Sequence, residues 1–187
     1  MTIELVERAR AGDHDAFSVL VRASVPRLVG AARLILRDQD RAQDAVQDAL
    51  VLAWRHIGAL RDPGAWDSWL YRLTVNACYR SAKTARRRDM VELHVMPDRE
   101  PASPQDVSQS VVERDDVGRE LARLPVDQRA VMVLHFYLGL PLTEAAQILD
   151  IPVGTAKSRL NRGLVTLRSA FADGDESSLR RTRERPA

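Results

Sequence analysis

The sequence predicts an all-α protein of two small helical domains joined by a flexible linker. Three observations carry that expectation. Apolar residues recur at helical period through two blocks, residues 1–92 and 113–171, with no strand-like alternation. Leu, Ala, Val and Arg dominate a chain of 187 residues that has only nine glycines, a composition that leans helical. Between the blocks, MPDREPASPQDVSQSVV (96–112) sets three prolines among Ser, Gln and acids and loses the apolar periodicity. That is how a linker reads, here placed over 93–112.

The elements follow in order. DAFSVLVRASVPRLVGAARLIL (15–36) carries Phe17, Leu20, Val21, Leu28, Ala32 and Ile35 at helical period, and Pro26 should kink or divide it. In DQDRAQDAVQDALVLAWRHI (38–57), Val46, Leu50, Trp54 and Ile57 form one stripe, with Asp44, Gln47, Asp48 and Arg55 away from it. RDPG at 61–64 is a turn, and AWDSWLYRLTVNACYRSAKTARRR gives a third helix over 65–88. In the second block Leu121, Leu124, Val131, Leu134 and Leu138 keep helical spacing around the Leu-Pro break at 124–125. LTEAAQILD (142–150) is a short amphipathic helix for which Thr143 is the expected N-cap. A final helix begins in IPVGTAKSRLNRGLVTLR (151–168), and the tail over 172–187 should fray.

Composition narrows the function classes. With 28 Lys+Arg against 26 Asp+Glu, the net charge of +2 implies no partner by itself, so the argument rests on where charge sits. A lone cysteine, Cys78, permits no intrachain disulfide and suits a reducing cytoplasm. No signal-peptide core or bilayer-length apolar run is present, so no direct membrane insertion is expected. Histidines at 14, 56, 94 and 135 are scattered, no pair has metal-ligand spacing, and no phosphate loop or nucleophile elbow occurs. Neither a cofactor nor catalysis is expected.

The 151–168 segment carries Lys157, Arg159, Arg162 and Arg168 and not one acid. At about 100° per residue, Val153, Ala156, Gly163, Leu164 and Leu167 gather around Leu160, while Thr155, Ser158 and Arg162 oppose it. Lys157 and Asn161 lie on one shoulder and Arg159 on the other. A short helix with an Ala145-Ala146 pair, a tight turn and then this helix make a helix-turn-helix, whose second helix enters the major groove. Ser158, Asn161 and Arg162 suit base edges, and Thr155, Lys157 and Arg159 suit phosphates.

The order of the pieces resembles an extracytoplasmic-function (ECF) sigma factor, of the sigma-70 family. LPVDQRAVMVLHFYLGLPLTEAAQILDIPVGTAKSRLNRGLVTLR is similar to sigma region 4, which reads the −35 element. DAVQDALVLAW resembles the region 2 segment that docks on core RNA polymerase, and AWDSWLYRLTVNACYR the part that opens and reads the −10 element. The resemblance thus implies a core polymerase face at Asp44, Gln47 and Asp48, promoter DNA as ligand, and an anti-sigma factor as inhibitory partner. It also implies that the loop over 56–64 helps to hold a flipped base.

For the −10 element the candidates are Tyr71, Arg72, Asn76, Tyr79, Arg80 and Lys83. Cations for the backbone interleave there with flat rings for unstacked bases. Trp69 and Leu70 fit a core better, and Tyr71 fits either role. Where the family commonly has glycine, at a position needing left-handed backbone, this chain has Asp150. The rival reading is a stand-alone helix-turn-helix regulator, which leaves the acidic helix and the basic, aromatic helix of the first block unexplained.

Overall fold

The computed structural model describes the backbone of residues 2–95 and 116–183, and the side chains of 2–87 and 118–171. The described residues are helical and contain no strand. The N-terminal half comprises α1 (Thr2–Arg10), α2 (His14–Leu36), α3 (Gln39–His56) and α4 (Trp66–Val95). The C-terminal half comprises α5 (Asp116–Arg123), α6 (Val126–Met132), α7 (Leu142–Ile148) and α8 (Val153–Arg183). Most of the linker expected over 93–112 lies outside the described residues; its first three positions continue α4. At the other end, α8 runs past the expected boundary at 171 to Arg183.

Local chemistry sets the boundaries. Asp13 caps α2 by accepting from the Ala16 amide at 3.0 Å, and Asp38 caps α3 through the Arg41 amide at 2.9 Å. The Ala16 amide, then Arg8, holds the Asp13 carboxyl below its ordinary range. Pro26 does not divide α2, which runs unbroken from His14 to Leu36. Between α3 and α4, Asp62 accepts from the Gly64 amide at 2.9 Å and starts a short 3-10 turn at Pro63–Ala65.

Alanines let the N-terminal helices approach closely. Ala42, Ala45, Ala49 and Ala53 are fully or nearly buried along α3, together with Val46 and Ile57 of the expected stripe. Leu50 and Trp54, of the same stripe, are only half-buried. Trp66 is buried under α2, its indole Nε1 donating to Ser24 Oγ at 3.4 Å, and Phe17 meets it edge-on at 6.1 Å.

In the C-terminal half α6 continues as one π-type turn, Val133–Tyr137, closed by the Leu138 amide on the Val133 carbonyl at 3.0 Å. Thr143 does not cap α7: the N-cap position is Pro141, two residues before the expected cap, with no side-chain hydrogen bond. After α7, Asp150 adopts φ 54°, its amide bonds the Gln147 carbonyl and the Ile151 amide bonds the Ala146 carbonyl. Those two bonds define a Schellman close, in which the left-handed residue is usually glycine. The expected left-handed position is therefore real, and Asp fills it.

The two halves share one core. Leu134, Leu138, Ala145 and Ile148 belong to the same buried cluster as Leu28, Ile35 and Leu70. Across the seam Arg27 donates to the Leu138 carbonyl at 3.3 Å, and Ser68 donates to Glu144. A Cβ on Gly30 would lie 2.0 Å from the Tyr137 hydroxyl oxygen, so glycine is what allows that ring to rest on α2. No helix among the described residues is long and apolar enough to cross a membrane.

Candidate nucleic-acid interface and partner face

The helix-turn-helix formed by α7 and α8 holds its basic face outward. Ala156, Gly163 and Leu167 are buried, and Val153, Leu160 and Leu164 are half-buried, as the expected stripe requires. Close packing at Gly163 fixes the pose: a Cβ there would stand 2.6 Å from Met132 Sδ on α6. Lys157, Asn161, Arg162 and Arg168 are exposed, and Thr155 and Ser158 are half-buried on the same side. Ser158 Oγ donates to the Thr155 carbonyl at 3.0 Å, which leaves its lone pairs available.

Arg159 is different. It pairs with Asp127 on α6 at 3.2 Å, with 26% of its side chain exposed. Asp127 was not anticipated, because a partner 32 residues away leaves no periodic trace in the sequence. Val165 was also missed; it is 60% exposed, one turn past Asn161 and Arg162.

On α4, Arg72, Asn76, Arg80, Lys83 and Arg87 are exposed at spacings of three and four and so lie along one face. The tyrosines are not on it. Tyr71 is only 7% exposed, and burial, its largest influence, raises its pKa beside Arg27, Asp67, Glu144 and Tyr137. Tyr79 is half-buried, and its hydroxyl is buried with no hydrogen-bond partner among the described residues. Burial pushes its pKa up to about 12, against a smaller opposing effect of Arg159. Both tyrosines thus feel charges of the C-terminal half, which covers them at the seam. Trp66 is buried and Trp69 half-buried, so neither ring is fully free.

On α3, Asp44, Gln47 and Asp48 are exposed together, with Gln43 and Val51 beside them. Cys78, at 0% exposure, is a packing residue whose thiol burial pushes up to about 12.

Comparison with known proteins decides among the readings. Residues 20–88 match the family model "Sigma-70 region 2", and residues 114–167 match "Sigma-70, region 4". The chain is 37% identical over 167 residues to the ECF RNA polymerase sigma factor SigM of Mycobacterium tuberculosis (strain ATCC 25618 / H37Rv), covering 88% of this chain and 81% of that protein. The chain belongs to the ECF RNA polymerase sigma factors.

The ECF RNA polymerase sigma-E factor of Escherichia coli (strain K12) is 32% identical over 168 residues, covering 84% of this sigma factor and 87% of that one. Among solved structures, CnrH in complex with the cytosolic domain of CnrY superposes with a TM-score of 0.66 at 27% identity, over 93% of this chain and 98% of that one. The sigma factor RpoE of Bartonella quintana, solved with the anti-sigma factor NepR, gives 0.67 at 24% identity, over 83% and 96%. As a sigma factor, the protein binds core RNA polymerase and directs promoter-specific initiation by recognising −35 and −10 elements. The stand-alone regulator is thereby set aside.

Proposed function

We propose that the work of initiation divides along the chain, with residues 1–92 gripping core polymerase and the −10 element and 113–171 reading the −35 element. The acid-free outward face of α8 carries this reading: exposed Lys157, Asn161 and Arg162 on a helix whose other side is buried. In the −35 element Ser158, Asn161 and Arg162 meet base edges, and Thr155, Lys157 and Arg159 meet phosphates. Arg159 must share its charge between Asp127 and DNA. For the −10 element, Arg72, Asn76, Arg80 and Lys83 track the backbone. Tyr71 and Tyr79 join them once the seam parts and offers their rings to unstacked bases.

Asp44, Gln47 and Asp48 form the acidic surface that meets the polymerase, since an acidic face on a DNA-binding protein is better turned to protein. The sites on DNA lie roughly 70 Å apart, about two helical turns. Halves packed on one shared core cannot span that, so core polymerase must hold them apart. An anti-sigma factor would do the reverse and hold the seam closed. An apolar cavity of about 290 Å³ beside Leu34, Met132 and Phe136 supports a docking partner there. The protein acts in the cytoplasm and without chemistry of its own.

Footprinting of promoter DNA by the chain with core polymerase tests the division. Protection of both elements by the complex, and of neither by the free chain, is expected. Protection of a single operator-like site by the free chain would refute it.

A further inference from the structure

An apolar side chain stands in the outward face of α8. Val165 is 60% exposed and, unlike the exposed Phe136 and Tyr137, does not line the cavity beside Leu34. At about 100° per residue it lies within about 60° of Ser158, Asn161 and Arg162, and about 140° from inward-facing Leu160. Exposed Arg162 comes three residues before it and exposed Arg168 three after, so it stands between two cations. The hydroxyls around it turn back on the helix: Thr166 Oγ1 donates to the Arg162 carbonyl at 3.1 Å, and Ser169 Oγ to the Val165 carbonyl at 3.2 Å.

A single exposed valine needs no explanation on a face that meets only water. On a face that meets DNA, every group must find a matching edge. Residues 151–168 hold four cations and no acid, which suits a polyanionic partner. At about 1.5 Å per residue Val165 lies about 18 Å from Val153, past Arg162 at about 14 Å and short of Arg168 at about 22 Å. With Arg168 at the phosphate rim, Val165 meets the last base pair before the backbone. The apolar substituent that major-groove base edges present is the 5-methyl of thymine. Over a donor or an acceptor, valine would strip away water and return no hydrogen bond.

We propose that Val165 is a further specificity-determining residue for the −35 element, its methyl groups packing on the 5-methyl of a thymine at the outermost base pair that α8 reaches. The inference rests on the reading of α8 as the −35 helix and adds a base position to those assigned to Ser158, Asn161 and Arg162. Its chemistry differs from theirs, because apolar contact selects thymine for its methyl group and not for its hydrogen-bonding edge. Replacing that thymine by deoxyuridine keeps every hydrogen-bonding group and removes the methyl alone.

The test is equilibrium binding of the full chain, loaded on core polymerase, to a −35 fragment selected from a random library. Each thymine of the fragment is replaced in turn by deoxyuridine. One replacement, at the edge of the element, should weaken wild-type binding about fourfold, the worth of one buried methyl group. Val165→Ser and Val165→Gln, both at an exposed position, should bind the thymine and deoxyuridine fragments alike. A selected element with no thymine there, no loss on any replacement, or the same loss in both variants would overturn the proposal. So would variants that capture less core polymerase, since Val165 would then face protein. Arg162→Ala runs beside them: a loss at its own base position with no methyl effect at Val165 sinks this inference alone. No position-specific loss from Arg162→Ala sinks the reading of α8, and this inference with it.

Discussion

The division of labour on α8 can be measured residue by residue. Lys157, Asn161 and Arg162 are exposed, and none of them has an ion-pair partner among the described residues. A helix rises about 1.5 Å per residue, so Lys157 lies about 6 Å and Arg162 about 14 Å from Val153 at the start of α8. A major groove about 12 Å wide takes in that span when the helix enters by its N-terminus, whereas Arg168, about 22 Å along, remains at the phosphate rim.

Arg162→Ala removes a fork that fits guanine, and Asn161→Ala an amide that fits adenine. Each should cost about 1–3 kcal/mol, or roughly 5- to 150-fold, at one −35 position and little elsewhere. Lys157→Ala should weaken all sequences alike and lower the slope of log K against log salt by about 0.9. The assay is binding of core-loaded protein to a library of single-substituted −35 elements at several salt concentrations. Equal losses by all three variants on every sequence, with equal changes in slope, would show that the base-reading face is misassigned.

On α3, Asp48→Arg should reduce capture of core polymerase at least about tenfold while far-UV circular dichroism stays unchanged; normal capture would remove Asp48 from that contact. Tyr79→Phe deletes a buried hydroxyl that has no hydrogen-bond partner among the described residues, so the free chain should gain about 1 kcal/mol, or about 2–4 °C. The folded pKa of Tyr79 is raised from 10.0 to about 12, so its contribution is intact below pH 10 and lost as pH climbs towards 12. The variant should therefore flatten the alkaline limb of the stability profile, and an unchanged limb would mean a solvated hydroxyl. Asp150→Gly relieves a left-handed aspartate at φ 54° and should stabilise by about 0.5–1 kcal/mol; a lower melting midpoint would argue against that backbone strain.

Elements whose apolar residues repeat over several turns were legible in the sequence, and this covers α2, α3, α4, α8 and, together with the π-type turn that continues it to Tyr137, α6. The nine-residue α1 is too short to establish a period, and the stripe on α3 was only half read, because small Ala42, Ala45 and Ala49 carry the contact. Thr143 had the right chemistry for a cap, yet α7 already starts at Leu142, with Pro141 at the N-cap position and Thr143 inside the first turn.

The outward face of α8 was readable from one period, since Leu160, Leu164 and Leu167 turn inward and leave Asn161 and Arg162 outside. The seam was not. Its contacts join residues as far apart as Arg27 and Leu138, 111 positions, and no local pattern announces them. That is also why Tyr79 read as a surface ring and Tyr71 fitted either role, although the C-terminal half covers both.

Transcription in vitro from a library of promoter fragments, run beside a gel shift of the free chain on the same fragments, bears on the whole reading at once. The chain with core polymerase should produce transcripts from a small, sequence-defined subset of fragments. The chain alone should bind the same duplexes weakly, because halves packed on a shared core cannot engage both elements together. Tight, specific duplex binding by the free chain, with no core-dependent transcript from any fragment, would contradict it.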